Sequence, residues 1–496
     1  MTAWWPASCC EGRPRAGERD APTIMKSWSA QRVAEAAGAH LREPRDVAAR
    51  AQGGGRRQGP DRVAIDSREA GPGALFVGLR GRHTDGGTFA AQALARGAWG
   101  ALVAPEHADA LGQPGEGVIL VAEEPLAALQ RLAAAWRREL DAVVIAVTGS
   151  TGKTTTKDIL VSLLAPAKRV GFTRANFNTE IGVPLEILAT PEGTQVLVLE
   201  HAMRGAGQIA ELAEISRPDV AVIVNIGPVH LELLGTIEAI AAAKAELIAA
   251  LSDGGTAVVP AGEPLLEPHL KGRANVITFG SEGDVRFAEP DQHGTGLRHD
   301  AAPPGTVAID LAGRMIELEV PFTQAHLRAN LLAAVAAASA VGVIPAGRVE
   351  VAFAPGRGQR TELKDGITLI DDSYNANPVS MRAALEDLAA SAPADGSARR
   401  VAVLGDMLEL GPAERDFHVE AGRHADAVGV DVLVTVGPRA TAMQEGFGGE
   451  RHGVSSASEA AALLSEILRP GDVVLVKGSR GVGLDLVCSS LQTVGR

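Results

Sequence analysis

From residue 63 to residue 477 the chain alternates two kinds of pattern. Apolar runs of four to six residues, at 143–147, 196–199, 220–225, 367–370, 401–405, 432–437 and 473–477, each lead into glycine or polar residues. Longer stretches with apolar positions every third or fourth residue follow them. Runs this short, without polar alternation, read as strands buried on both faces, and the stretches between them as crossover helices. The expected class is therefore α/β with mostly parallel sheet. Two such alternations are expected, at 141–345 and 346–496, the second Rossmann-like, preceded by a smaller α/β module at 25–140. In that module Ser29 caps a helix to Ala37, which Gly38 stops, and a loop rich in Gly and Arg fills 53–60. Strands at 63–65, 74–79 and 100–103 and a helix over 89–96 complete it. A flexible hairpin or loop is expected over 294–305.

Composition narrows the function classes. At 496 residues the chain exceeds what one core supports, which agrees with about three domains. A formal net charge of −13 argues against the basic surface of a nucleic-acid binder, so any phosphate must be held locally. Every apolar stretch is broken well before the roughly 20 residues of a membrane span. Three cysteines, Cys9, Cys10 and Cys488, make neither a disulfide framework nor a metal site, so a reducing, cytoplasmic setting is expected. Residues 1–24 mix Trp, Pro, Gly and Arg without periodicity and read as a disordered extension or an overlong start ahead of Met25, with no signal-peptide pattern. A monomer is expected.

The candidate chemistry begins where the run 143–147 empties into Thr148-Gly149-Ser150-Thr151-Gly152-Lys153-Thr154-Thr155-Thr156. Glycines let the backbone curl so that several N–H groups converge on one anion, and the helix that follows adds its positive end. Gly149, Ser150, Thr151, Gly152, Lys153, Thr154 and Thr155 are thus candidate ATP-binding residues. Lys153 would reach the β- and γ-phosphates and Thr154 would face Mg²⁺. The spacing is the short G-x-x-G-K-T, since the longer loop needs glycine at position 147, where Val147 stands. Glu200 ends the next strand and His230 follows the one after, at the edge where parallel sheets collect ligands. Glu200 reads either as a Mg²⁺ ligand or as a strand-end charge in water. His230 and His201 alone read as satisfied loop histidines, and Lys244, on an alanine-rich helix over 239–250, as a solvated surface charge. Ser67 and Arg68, in a charged turn, could hold a phosphate or a uracil edge. In the last part, Asp371-Asp372-Ser373-Tyr374-Asn375-Ala376-Asn377-Pro378 and Lys477-Gly478-Ser479-Arg480 follow strands, with Pro378 placed to open a helix.

Taken in order, these segments resemble the Mur ligases. So do Asn178-Thr179-Glu180-Ile181-Gly182-Val183-Pro184, Met203-Arg204-Gly205, Asn225-Ile226-Gly227-Pro228-Val229-His230, Ala243-Lys244-Ala245-Glu246 and Leu404-Gly405-Asp406-Met407. The resemblance runs from about Ser27 to the C-terminus. It implies a three-domain enzyme with an N-terminal module for a uridine nucleotide, a central ATPase and a C-terminal Rossmann-like module. The motifs at 371–378 and 477–480 favour the member that joins D-alanyl-D-alanine to UDP-N-acetylmuramoyl-tripeptide, with ATP going to ADP and phosphate.

The resemblance also implies roles. Lys153 would neutralise phosphates, Thr154 and Glu200 would hold one Mg²⁺, His230 would serve a second, and Lys244 would react with carbon dioxide to give a carbamate ligand. Lys153, Lys244 and His230 are then the catalytic set. Asn330, four residues after His326, would face adenine, with Arg357, Asp371 and Asn377 also near nucleotide. Asn178, Thr179, Arg204, Asn375, Lys477, Ser479 and Arg480 would contact substrate, and Ser67 and Arg68 the uridine side.

Two departures stand out. Glu200-His201-Ala202-Met203 lacks the family's glycine, which removes an easy positive-φ position behind Glu200. Thr84-Asp85-Gly86-Gly87 replaces an Asp-Gly-His, so no uridine-site histidine is expected at position 87. The rival readings are a folylpolyglutamate-synthetase-like ligase, a nucleotide switch and a non-catalytic nucleotide-binding module. Roughly 115 residues ahead of the loop count against the first, the absence of Asn-Lys-x-Asp against the second, and joint retention of Lys153, Glu200, His230 and Lys244 against the third.

Overall fold

A computed structural model of the chain describes residues 25, 27–43, 59–112, 117–288, 305–391 and 398–494. The extension at 1–24 with Cys9 and Cys10, most of the loop at 53–60 and nearly all of 294–305 lie outside the described residues. The chain forms two compact units, one reaching Leu140 and including Ile187–Gly193, the other made of Asp141–Glu186 and Thr194–Arg496.

The first unit carries a five-stranded sheet in the order His40–Arg42, Val118–Val121, Gly100–Val103, Ala74–Val77, Arg62–Ala64. The last four strands are parallel and the first is antiparallel to its neighbour. Helix Ala30–Ala37 starts at Ser29, whose hydroxyl accepts from Arg32 N, and ends at Gly38 with φ 61°. The helix expected over 89–96 divides into a 3₁₀ turn, Gly86–Phe89, capped by Asp85, and a helix, Ala90–Ala95. Trp28 meets the buried Trp136 edge to face at 5.6 Å.

The second unit holds two sheets. In the ten-stranded one, Val170–Phe172, Val196–Glu200, Val143–Thr148, Val220–Ile223, Thr256–Pro260, Val276–Phe279 and Val285–Phe287 run parallel in that order. Beyond them the sheet turns antiparallel through the hairpin Gly305–Leu311 and Arg314–Val320, a departure from the parallel alternation expected there. The physical cause is legible in the hairpin itself. Val307, Ile309 and Leu311 face the core while the residues between them are less buried, as in a half-solvated antiparallel ribbon. Ala312 and Gly313 both take positive φ, the two-residue turn that matches strand twist.

Helix Lys153–Leu164, behind the glycine-rich loop, shares a core with helix Ala325–Ala340, whose alanines 333, 334, 336, 337 and 338 are fully buried. Small side chains let the two helices lie close and bring residue 330 up to the loop. The six-stranded sheet follows the order Gln359–Glu362, Thr368–Asp372, Val473–Lys477, Arg400–Gly405, Val432–Val436, Glu450–Val454, parallel except for its first strand. Pro378 opens helix Pro378–Ser391, as the sequence suggests. No helix among the described residues is long and apolar enough to cross a membrane.

Candidate active site

The strand Val143–Thr148 delivers the glycine-rich loop to the carboxyl edge of the parallel strands. Gly152 takes φ 74° and caps helix Lys153–Leu164. A Cβ at that position would lie 2.5 Å from Asn330 Oδ1, so only glycine fits both the turn and its neighbour. The loop is clasped from the next strand. Asn225 Oδ1 accepts from Thr151 N at 2.9 Å, Asn225 Nδ2 donates to Thr151 Oγ1 at 2.7 Å, and Ser150 Oγ donates to Gly227 O at 3.0 Å. Asn225 thus acts as the loop's clamp, a role the sequence reading did not assign although its motif was in view. Thr155 is buried beneath the loop.

Behind this loop, Lys153 and the carboxylate Glu200 act on each other. Lys153 Nζ donates to Gly149 O at 2.7 Å. Burial pushes its pKa down, Glu200 opposes that shift, and Arg357 adds to it. Thr154 Oγ1 donates to Glu200 Oε2 at 2.7 Å and Asn178 Nδ2 donates to Glu200 Oε1 at 2.8 Å. The easy positive-φ position removed with the family's glycine is not used here. Neither His201 nor Ala202 adopts positive φ, so the turn never needed that freedom, and strand pairing carries Glu200 into place. Lys244 is corrected: it is 2% exposed, far from the solvated surface charge that sequence physics suggests. Its helix, Ile237–Ala249, turns this face inward, and burial together with the charge of Lys153 lowers its pKa well below the usual lysine range.

His201 is fully buried, and neither ring nitrogen has a hydrogen-bond partner among the described residues. Burial drops its pKa from 6.5 to about 3. The unfolded chain therefore binds the proton first: stability from this residue is complete above pH 6.5 and declines as pH falls toward about 3. The loss is at most about 1.4 kcal/mol per pH unit. Comparing Tm at pH 7.5 and pH 5 should show a larger drop in the wild type than in His201→Met; parallel drops would refute it.

His230, with φ 54°, is more than an isolated loop histidine. Its Nδ1 lies 2.5 Å from Glu409 Oε2, and Arg204 Nε stands 3.8 Å from Glu409 Oε1. The hydrogen bond from His230 holds the Glu409 carboxyl below its ordinary range. Sequence reasoning passed over Glu409, two residues beyond Leu404-Gly405-Asp406-Met407. The available sign was a charged residue in the break after a buried strand.

The other candidates divide by burial. Lys477 is 2% exposed and its Nζ donates to Asp372 Oδ2 at 2.6 Å and Asn375 O at 3.0 Å. Ser479 Oγ, also buried, accepts from Leu408 N at 3.0 Å. Both brace the 371–378 turn from inside, Ser479 through a bond from its Oγ to Ala376 O at 3.4 Å. Asp371 Oδ1 accepts from Ser373 N, and Asn377 Oδ1 accepts from Ser380 N at the start of helix Pro378–Ser391. Thr179, Arg204, Asn375 and Arg480 remain exposed, with Arg480 3.7 Å from Asp485.

In the first unit, Ser67 Oγ donates to Gln92 Oε1 at 2.9 Å, and the exposed Arg68 folds onto Asp66. Position 87 carries no histidine, yet its space is filled by one. A Cβ on Gly87 would stand 2.1 Å from the ring of His107, whose Nε2 lies 3.0 Å from Asp85 Oδ2. Arg80 balances the same cluster, 2.8 Å from Glu106.

Three family descriptions match: the Mur ligase middle domain over 147–338, the Mur ligase glutamate ligase domain over 356–480, and the Mur ligase family catalytic domain over 61–137. UDP-N-acetylmuramoyl-tripeptide--D-alanyl-D-alanine ligase of Bacillus subtilis is 34% identical over 440 residues, covering 86% of this chain and 92% of its own. Among solved structures, MurF from Acinetobacter baumannii is similar with a TM-score of 0.80 at 29% identity, over 94% of this chain and 99% of its own. MurF ligase from Thermotoga maritima in complex with ADP gives a TM-score of 0.75 at 29% identity, over 87% and 97% of the two chains.

Proposed function

The chain belongs to the Mur ligase family, and from that premise we propose that it joins D-alanyl-D-alanine to UDP-N-acetylmuramoyl-tripeptide, converting ATP to ADP and phosphate. The observation that carries this reading is Lys153 on the phosphate-binding loop, beside a Glu200 held by Thr154 and Asn178 and close enough to the buried Lys244 to lower its pKa. Such an arrangement suits a reaction in which an anionic carboxylate must approach an anionic phosphate. The peptide carboxylate attacks the γ-phosphorus, the bond to the β-γ bridging oxygen breaks, and ADP leaves. The dipeptide amine then attacks the acyl-phosphate carbonyl, loses a proton, and expels phosphate. Neither step requires a protein nucleophile, so charge compensation and alignment carry the catalysis.

The donor set fits Mg²⁺: the Thr154 hydroxyl and the Glu200 carboxylate are hard oxygen ligands already in mutual contact. His230 would complete a second position, with Glu409 fixing its ring. Lys244 fits carbamate formation, because burial lowers the pKa of its amine and the deprotonated amine is the form that attacks carbon dioxide. When bound, the metal offsets phosphate charge. Lys153 aligns the β- and γ-phosphates, and Asn225 keeps the loop N–H groups convergent. Adenine is assigned to the Asn330 side of the loop. Ser67, Arg68 and the Asp85–His107 pair are assigned to the uridine moiety, and Asn178, Thr179 and Arg204 to the peptide. A monomer is proposed as the working unit, and an ATP-consuming precursor ligase belongs in the cytoplasm.

Phosphate release from ATP, followed with UDP-N-acetylmuramoyl-tripeptide present and D-alanyl-D-alanine supplied or withheld, tests the reading. Release is expected to depend on both substrates; release indifferent to them would sink it.

A further inference from the structure

Tyr374 is the single tyrosine of the chain, and it sits between two arginines. The Arg357 guanidinium carbon lies 4.2 Å from its ring centroid and that of Arg480 lies 5.6 Å away. The backbone is shaped for this approach. Tyr374 N donates to Gly356 O at 3.1 Å, and Gly356 has φ 74°. A Cβ at position 356 would come within 3.2 Å of Tyr374 Cβ. The residue before the arginine is therefore a glycine where the tyrosine packs against it.

The partners of Arg357 set it apart from the arginines nearby. Arg360 pairs with Asp387 at 2.7 Å and Arg399 with Asp472 at 2.7 Å. Arg357 makes no ion pair among the described residues, and its buried Nε has no hydrogen-bond partner there. Its charge nevertheless bears on Lys153. The cation is thus held by an aromatic face in a place where a carboxylate would be the ordinary choice.

We propose that Tyr374 is a positioning residue that holds Arg357 ordered and un-neutralised beside the phosphate loop, for the polyphosphate of the nucleotide substrate. This rests on the ATP-dependent reading given above. A carboxylate in the ring's place would anchor the guanidinium equally well, but it would cancel the charge and repel the incoming phosphates. The ring attracts the cation through its quadrupole and carries no net charge. It leaves the N–H edge of the guanidinium open to an anion.

Steady-state kinetics of three variants test this. Tyr374→Phe keeps the π face and is expected to stay within about twofold of the wild-type KM for ATP. Tyr374→Leu is expected to raise that KM by roughly tenfold, with the KM for D-alanyl-D-alanine unchanged. Tyr374→Glu is expected to be worse than Leu. A Leu variant equal to wild type, a Phe variant as impaired as Leu, or a Glu variant as good as Phe would each overturn the proposal.

A second readout needs no substitution of the tyrosine. Because the chain has one tyrosine, 3-fluorotyrosine gives one ¹⁹F resonance, which is expected to move in Arg357→Leu and on adding ADP. A resonance indifferent to Arg357→Leu would also overturn the proposal. This arm separates the two readings: wild-type phosphate release that ignores both substrates refutes the ligase, whereas an unmoved resonance refutes the clamp.

Discussion

Lys244→Ala is expected to lower ligation by about a thousandfold, and millimolar formate or acetate to restore part of the rate. The size follows from where the amine sits. A side chain 2% exposed, next to another cation, cannot hold its proton at ordinary cost, and burial and the charge of Lys153 both lower its pKa. On the reading proposed above, the amine adds to carbon dioxide, forming an N–C bond and releasing one proton, to give an anion with two oxygen donors. Removing the side chain would then take away that anion and leave room that a small carboxylate can enter. Rescue should therefore track the size of the acid, with formate and acetate effective and larger acids not. The measurement is initial rate against acid concentration in the Ala variant, and ¹³C-labelled carbon dioxide adds a carbamate resonance in the wild type that the variant lacks. A variant as fast as wild type would return Lys244 to a packing role.

Lys153→Met is expected to lower kcat/KM for ATP by about two to three orders of magnitude while leaving binding of the uridine nucleotide unchanged. Met keeps the length of the stem and removes the charge, so the loop geometry around Gly152 and Asn225 should survive. The loss falls mainly on the step in which the carboxylate meets the γ-phosphate, because there the negative charge is densest and solvent is most excluded. Single-turnover acyl-phosphate formation and calorimetric titration with UDP separate the two effects. A rate within tenfold of wild type would mean that Arg357 and the metal carry the charge compensation without Lys153.

Much of the site could be read before any coordinates. The loop 148–156 announces itself because its chemistry is local: glycines, a lysine and hydroxyls act within one turn of each other. Strand ends such as Glu200 and His230 were legible for a related reason, since parallel strands buried on both faces must release their polar residues at one edge. The resemblance of ordered motifs then assigned roles that no single segment could. The hairpin Gly305–Leu311 and Arg314–Val320 alternates in the manner of a half-buried ribbon, but its period-2 signal is short and lies beside a glycine-rich stretch that carries the stronger turn chemistry.

Other features had no local sign. Nothing within residues 237–249 distinguishes Lys244 from a surface lysine, because its burial depends on which helix face meets the sheet. Lys477 follows a strand and looks ready for a ligand, yet Asp372, 105 positions away, takes its charge inside. Glu409 meets His230 across 179 positions, and His107 fills the space of residue 87 from a different helix.

The sequence by itself determined the class of fold, the phosphate loop and the order of the motifs, since periodicity and turn chemistry act over a few residues. Only the tertiary structure decided which charges are buried, which are neutralised and which are left exposed to a polyanion. Those outcomes depend on desolvation and on partners brought together across the chain, and neither is a property of a segment. The clearest case is Arg357, whose aromatic partner Tyr374 comes from beyond the next strand and is brought to it only by the fold.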